Sequence, residues 1–395
     1  MKQADELHES ITLIQQLIEI ESHAEHPGQE GGMVEYVKNW AGYKGIDNCT
    51  QIVEGQPRNI CLRVDGCYEG STILFNGHLD TVPPYSMVSP FQPRIEEGRI
   101  YGRGAVDMKG FVGVMMALLH KWEKNRESLR GSIILALTAG EETYSAGMNT
   151  LAPSLKDVDF AVVGEPTELE VGTAHKGVLW LEAEFQGEAV HGSVPEQGVN
   201  AIYQASGWIE AFKTNYLPIL KNITHPLLGH ATANIGMIEG GTRPVTVPDY
   251  CTVKMERRLL PGENEEQVLR ELSTGVLSEG RLPEASLRKM ENFHGVPHGP
   301  LHTDSSHPLV QLLCKNARET LRTEEYEPSG LPFWTDGALL QHYHPHLPVV
   351  VFGPGSIQQA HSNEEFIAIE QLDKALDIIS GFVETKDHGE GENET

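Results

Sequence analysis

Long apolar runs are missing from this sequence. No window offers about 18 uncharged apolar residues, so no membrane span is expected. The start, MKQADELHES, has no basic stretch followed by an apolar one, so no signal peptide is expected either. Basic residues are scarce: 30 Lys plus Arg stand against 56 Asp plus Glu, giving a formal charge of −26 and a sequence pI near 5.0. Neutralising phosphates needs a basic face, so nucleic-acid binding is excluded as a first reading. Cysteine is thin as well. Cys49, Cys61, Cys67, Cys251 and Cys314 are odd in number and form no CxxC pair, which argues against a disulfide framework or a thiolate zinc knuckle and fits a reducing cytoplasm.

What is present describes an ordinary globular protein. Apolar residues make up 39% and charged residues 22% of 395 positions, enough for two or three domains at roughly 150 residues each. Residues 7–20 and 33–43 carry apolar side chains at helical spacing. Short apolar runs at 59–64, 71–75, 132–137 and 160–163 then alternate with an apolar helix at 110–122, the pattern of an α/β layer with a largely parallel sheet. From 177 to 292 the texture changes to strand (178–185), helix (200–213), two strands (233–239, 250–259), helix (263–277) and strand (285–291). That order is the split βαβ pattern of a small α+β unit. The expected fold is therefore an α/β/α catalytic domain (1–176 and 293–395) with an inserted ferredoxin-like α+β domain (177–292). A helix at 307–321, a strand at 347–352 and a helix at 369–383 complete the first domain, and the acidic tail 386–395 is expected to fray.

Histidine is plentiful, at 18 residues, and it is the commonest metal ligand. ILFNGHLDTVPP puts His78 and Asp80 just after a strand, where a carboxylate accepting the second imidazole N–H would fix the tautomer of a ligand; the plainer alternative is a hydrogen-bonded turn. Asp107, in IYGRGAVDMKGFVG, precedes a helix and reads as a cation ligand or as a helix cap. Glu141 and Glu142, in LALTAGEETYSAG, are either an acidic helix start or a pair with divided roles, one coordinating and one holding a proton. Glu165 in AVVGEPTE and His361 in FGPGSIQQAHSNEEF follow two further strands. Each signal is modest alone. Together, His78, Asp107, Glu142, Glu165 and His361 supply five N/O donors along one sheet edge, enough for two zinc or cobalt ions if Asp107 bridges, with Glu141 left as general base.

With these motifs the chain resembles the zinc amidohydrolase family that includes acetylornithine deacetylase, succinyl-diaminopimelate desuccinylase, aminoacylase and glutamate carboxypeptidase. The resemblance runs through GHLDTVPP, GRGAVDMKGF, AGEE, VVGEPT, HGSVPEQGVNAI, GGTRPVTVPD, RRLLPGE and AHSNEEF in that order. It implies His78, Asp107 and Glu165 on one metal, Asp107, Glu142 and His361 on the other, Asp80 orienting His78, Glu141 activating water, and a cis peptide after Asp107. It further implies that the inserted domain is a lid that makes a homodimer, and that His191 reaches a partner's active site to hydrogen-bond the scissile carbonyl oxygen. Arg258 corresponds to a residue clamping a substrate carboxylate; Arg257 beside it reads as a surface charge or as the clamp itself. The resemblance also implies that Asn234 and the Gly240–Gly241 turn shape the lid side of the cleft and that Thr335 and Asp336 approach the substrate.

The remaining histidines read as structural. His342, His344 and His346 fit a surface loop, while His175 and the group His294, His298, His302 and His307 flank the two domain crossings. The expected activity is hydrolysis of the amide bond of an N-acyl amino acid. A dipeptidase or carboxypeptidase is the alternative, and a non-catalytic dimeric binding protein is the reading from a different class. The presence of all five ligands with Glu141 and His191 argues against the last.

Overall fold

The apolar runs become strands covered on both sides. The computed structural model describes residues 2–26, 28–275, 285–290 and 295–387. It divides into two compact units, one of Met1–Thr173, His302–Leu331 and Thr335–Thr395, the other of Ala174–Leu301 and Pro332–Trp334. The sequence reading placed the first crossing after residue 176. Its second crossing, between 292 and 293, lies outside the described residues, as do His294, residues 388–395 and the ends of the helix expected to 277 and of the strand expected to 291.

The first unit is built on one large mixed sheet. Its order is Asp47–Val53, Gln56–Asp65, Arg130–Thr138, Tyr68–His78, Phe160–Val163, Val349–Val351, Gly172–His175 and Leu301–His302. The four central strands, Arg130–Thr138 to Val349–Val351, are mutually parallel, and antiparallel pairs lie outside them. Near-continuous apolar composition is what a parallel strand buried on both faces requires. One face packs Ile73, Phe75, Ile133 and Leu135 against helices Lys2–Ile18, Gly110–Lys124 and Ile369–Thr385, with Phe75 stacked on Trp122 and Phe160 tilted against Phe382. The other face carries the shorter helices Ala146–Leu151 and Gly337–Tyr343.

Several elements escaped the sequence reading, three of them for a plain reason. Asp47–Val53 is an edge strand of mostly exposed polar residues, so it lacks the apolar signal of its neighbours. The helix Gly337–Tyr343 is short, and it includes His342, which was expected in a loop. The third is a small antiparallel sheet of Phe366–Ala368, Arg99–Tyr101 and Arg94–Glu96, whose three-residue strands carry no periodicity.

The second unit has the expected order of elements: Gly177–Gln186, helix Ala201–Ala211, Thr232–Gly240, Tyr250–Leu259, helix Glu265–Gly275 and Ser286–Lys289. Its four-stranded sheet is wholly antiparallel, ordered Thr232–Gly240, Tyr250–Leu259, Gly177–Gln186, Ser286–Lys289. Asn200 caps the first helix, its side-chain oxygen accepting from the N–H groups of Ile202 and Tyr203 at 3.0 and 3.1 Å. Phe185, Trp208, Phe212 and Tyr216 form a separate aromatic core. Among the described residues, no helix is long and apolar enough to cross a membrane.

One buried carboxylate joins distant segments of the first unit. Glu365, only 1% exposed, accepts from the Arg103 guanidinium at 2.6 Å and from the N–H groups of Gly104, Val106 and Asp107 at 2.9, 3.0 and 3.2 Å. The segment carrying Asp107 is thus fastened to the segment that follows His361. Replacing Glu365 by Ala leaves the fully buried Arg103 charge uncompensated. The expected loss is about 3–5 kcal/mol of unfolding free energy, read as a lower urea midpoint, with Glu365→Gln losing less because it keeps an oxygen acceptor. An alanine variant as stable as the parent would contradict this role.

Candidate metal centre

Strand ends and the turns after them present the donors. His78 is the last residue of its strand, in register with Thr138. Beyond Thr138 the chain turns through Gly140, whose φ of +75° suits a residue without a side chain, into Glu141 and Glu142. Glu165 follows Phe160–Val163 through Gly164, where a Cβ would lie 2.0 Å from the Phe111 ring. His361 comes after Val349–Val351, and Asp107 sits in the irregular turn Ala105–Lys109 before the helix Gly110–Lys124. Asp107 does not cap that helix, whose N-cap is Lys109 with no side-chain cap bond; Asp107 and Met108 lie outside helical angles, and the peptide between them is cis. Sites in open α/β sheets form beyond the carboxyl ends of the strands, as here.

Two clusters result. Ligand atoms of His78, Asp107 and Glu165 lie within 4.8 Å of one another, and so do those of Asp107, Glu142 and His361. Asp107 belongs to both, each oxygen facing one cluster: Oδ1 is 2.9 Å from His78 Nε2, and Oδ2 is 3.3 Å from His361 Nε2. Glu165 Oε1 lies 3.9 Å from His78 Nε2, and Glu142 Oε2 lies 3.0 Å from His361 Nε2. The first cluster is buried, whereas His361 is exposed.

Asp80 acts differently from the sequence expectation. It is the backbone carbonyl of Asp80 that accepts from His78 Nδ1, at 2.9 Å, with the nearer carboxylate oxygen at 3.7 Å. The carboxylate instead accepts from the N–H groups of Glu141 and Glu142 at 3.1 and 2.9 Å. A single residue thereby sets the imidazole tautomer with its main chain and the position of both glutamates with its side chain. Among the described residues, no hydrogen bond or ion pair engages the Glu141 carboxylate.

Charge in this region is unbalanced. Burial, then the neighbouring Glu165, pushes the Glu141 carboxyl well above its usual range. Burial and then His78 and Asp107 act on Glu165, with a net upward result, and burial followed by Asp107 raises Glu142 to about 7. Burial opposes ionisation of Asp107 too, but hydrogen bonds from His361 and His78 outweigh it and hold this carboxyl low. Hydrogen bonds to Asp107 and Glu142 raise His361 to about 10. Among the described residues, no lysine or arginine pairs with Asp107, Glu141, Glu142 or Glu165. Four acidic side chains served only by two histidines are expensive to bury, and a set of N and O donors of this kind fits divalent cations.

Thr335 and Asp336, expected near substrate, are buried at 0% and 1% exposure. Asp336 accepts from Thr138 at 3.0 Å, and burial raises its carboxyl to about 6. Burial does not set them apart from the donors His78, Asp107 and Glu165, which are buried too, and the Asp336 charge acts on the Glu141 carboxyl. His344 donates to the Ala152 carbonyl at 2.7 Å, and QHYHPH forms no metal cluster among the described residues.

The second unit holds His191, Asn234 and Arg258, and both clusters draw all their donors from the first. His191 is exposed, and its Nδ1 accepts from the Ser193 N–H at 3.2 Å, which leaves the proton of the neutral ring on Nε2 as an outward donor. Asn234 is exposed on the strand Thr232–Gly240, which leads into Gly241 at φ +73°. The two arginines separate cleanly. Arg257 is fully buried, bonded to the Tyr216 hydroxyl at 3.1 Å and paired with Glu263, so it is not a surface charge. Arg258 is partly exposed, with Glu256 at 3.2 Å, and is the one available to a ligand. Its alternation was visible in the sequence, because Cys251, Val253, Met255, Arg257 and Leu259 share one face of a strand. Glu365 was missed for want of such a signal, being one of two adjacent glutamates.

The pattern that defines peptidase family M20/M25/M40 matches residues 74–385. Acetylornithine deacetylase from Proteus mirabilis (strain HI4320) is 31% identical over 323 residues, covering 79% of this chain and 79% of that protein. A probable succinyl-diaminopimelate desuccinylase from Staphylococcus epidermidis (strain ATCC 12228 / FDA PCI 1200) is 25% identical over 414 residues, covering 95% and 98%. Among solved structures, aminopeptidase PepT from Bacillus cereus ATCC 10987 superposes with a TM-score of 0.78 at 20% identity, covering 96% and 98% of the two chains. A dinuclear metal-binding peptidase of the M20 family from Bacillus subtilis gives 0.72 at 16%, covering 97% and 99%. At those identities the structural likeness is one of fold, but the sequence match spans most of the chain and includes the strands and turns that carry the two clusters. The chain belongs to peptidase family M20/M25/M40, a family of metal-dependent hydrolases.

Proposed function

We propose that this protein hydrolyses the amide bond of an N-acyl amino acid, as a deacylase like the acetylornithine deacetylases and succinyl-diaminopimelate desuccinylases it is similar to. The observation that carries this reading is the pair of clusters meeting at Asp107 beside Glu141, whose carboxylate has no hydrogen-bond partner among the described residues. His78, Asp107 and Glu165 would hold one divalent cation, and Asp107, Glu142 and His361 a second, zinc or cobalt by donor type. When bound, such ions supply a Lewis acid for the scissile carbonyl and lower the pKa of water.

The chain's own residues supply the rest. Glu141 takes the proton of the attacking water on a carboxylate oxygen and returns it to the departing amine nitrogen, and burial strengthens its hold on that proton. Asp80 keeps the Glu141 backbone fixed while this happens. His191 donates from Nε2 to the carbonyl oxygen as negative charge develops there. Arg258 pairs with a substrate carboxylate, and Asn234 with the Gly240–Gly241 turn borders the substrate.

Two assembly statements belong to the same proposal. The second unit forms a homodimer: its edge strand Thr232–Gly240 exposes Met237 and Ile238 at 50% each, with Tyr203 at 76% on a helix of the same unit. The protein resides in the cytoplasm, which fits five cysteines without a disulfide.

Glu141→Gln is expected to keep both metals by elemental analysis while turnover of N-acetyl and N-succinyl amino acids falls by about 10²–10⁴. His191→Ala should lower turnover by about 10²–10³ with metal content unchanged. Equal activity in the glutamine variant would remove Glu141 from the scheme, and faster cleavage of dipeptides than of acyl amino acids would move the protein to the peptidase branch.

Metal uptake by the apoprotein is expected to release protons. With His361 raised to about 10 and Glu142 to about 7, both carry protons at neutrality that coordination must displace, so affinity rises with pH between about 6 and 10. The rise is about tenfold per pH unit for each proton displaced. Calorimetry in buffers of different ionisation enthalpy checks the proton count, and affinity independent of pH would contradict it. Sedimentation of the isolated chain should give a dimer, reduced to monomer by Met237→Glu with Ile238→Glu.

A further inference from the structure

The strands Asp47–Val53 and Gln56–Asp65 pair antiparallel at the edge of the large sheet, and Cys49 stands directly opposite Cys61. Opposing residues of an antiparallel pair have Cα atoms about 4.5 or 5.5 Å apart, inside the range of about 4.4–6.8 Å that a disulfide spans. The register is regular from Asp47 to Gln51, and the one shift falls between Gln51 and Ile52, beyond the pair. Side chains on this face do meet across the strands. One pair along, Asn59 Nδ2 donates to Gln51 Oε1 at 2.9 Å.

The two thiols differ in exposure. Cys49 is exposed and Cys61 is half-buried. The nearness of Cys61 across the strands outweighs burial and brings Cys49 down to about 6, whereas the nearness of Cys49, and then burial, push Cys61 well up. An accessible thiolate beside a shielded thiol is the arrangement of an attacking and a resolving cysteine.

We propose that Cys49 and Cys61 are a peroxide-sensitive pair that closes to an intramolecular cross-strand disulfide. The Cys49 thiolate attacks one oxygen of hydrogen peroxide, the O–O bond breaks, and Cys49 sulfenic acid and hydroxide form. The Cys61 sulfur then displaces the sulfenic hydroxyl, which takes the Cys61 thiol proton and leaves as water, and the proton that Cys49 gave to solvent on ionising neutralises the hydroxide. Two thiols are oxidised by two electrons in total and one peroxide is reduced to two waters. The bond fastens the edge strand to its neighbour, so oxidation tightens that margin of the sheet. This inference does not rest on the metal centre or on the proposed activity.

The test treats the full chain, at micromolar concentration, with hydrogen peroxide, followed by alkylation and peptide mass mapping without reductant. A peptide linking Cys49 to Cys61, two hydrogens lighter and reversed by dithiothreitol, is expected, with slower amide exchange over 47–53 in the oxidised form. Cys61→Ser should accumulate Cys49 sulfenic acid, trapped by dimedone, and Cys49→Ser should leave Cys61 reduced. The proposal is overturned if the exposed Cys67 oxidises as fast as Cys49, if Cys49 proceeds to sulfinic acid in the parent with Cys61 untouched, or if the product is a dimer linked between chains.

Discussion

Taking several carboxylates out of water within one small region is the constraint on which the first unit depends. Asp107 meets it by giving one oxygen to each histidine, so that His78 and His361 share a single acceptor between them. Its neighbours have less: Glu142 shares His361, Glu165 Oε1 stands 3.9 Å from His78, and Glu141 has no such contact among the described residues. Glu141 and Glu165 are driven towards their neutral forms, and no lysine or arginine among the described residues pairs with them. Electrostatics of this kind asks for cations that the polypeptide does not itself provide, and the donor types present are those that hard or borderline divalent metals accept.

Placement of the donors rests on backbone rather than on long side chains. The parallel strands bring His78, Glu141, Glu142 and Glu165 to one edge through their register, with glycine at 140 and 164 permitting the turn and the close approach of Phe111. Asp107 and His361 do not follow from that register alone. A three-stranded antiparallel sheet and the four hydrogen bonds accepted by Glu365 fix them, which makes a residue outside the donor set responsible for its geometry.

How much of this could be read in the sequence follows from the same distinction. Donors at strand ends were legible because apolar runs mark strands and because coordination restricts the residue type to a few. Contacts that depend on which atom of a residue points where were not. His78 and Asp80 sit two apart, yet spacing could not say that the carbonyl would take the imidazole proton and the carboxylate the glutamate amides. Glu364 and Glu365 look alike in NEEF; folding leaves the first exposed beside Arg94 and seals the second around Arg103. The strand Asp47–Val53 was invisible because an edge strand turned to solvent needs no apolar alternation, and with it the facing of Cys49 and Cys61 was hidden as well.

The discontinuity of the first unit bears on how the chain comes off the ribosome. His78, Asp107, Glu142 and Glu165 all emerge before the second unit is made, while His361, with the Glu365 that anchors it, emerges after. Domains generally fold from the N-terminus as they are synthesised. A nascent chain halted before residue 361 therefore owns one donor trio and two members of the other, and only translation of its last segment can complete the second.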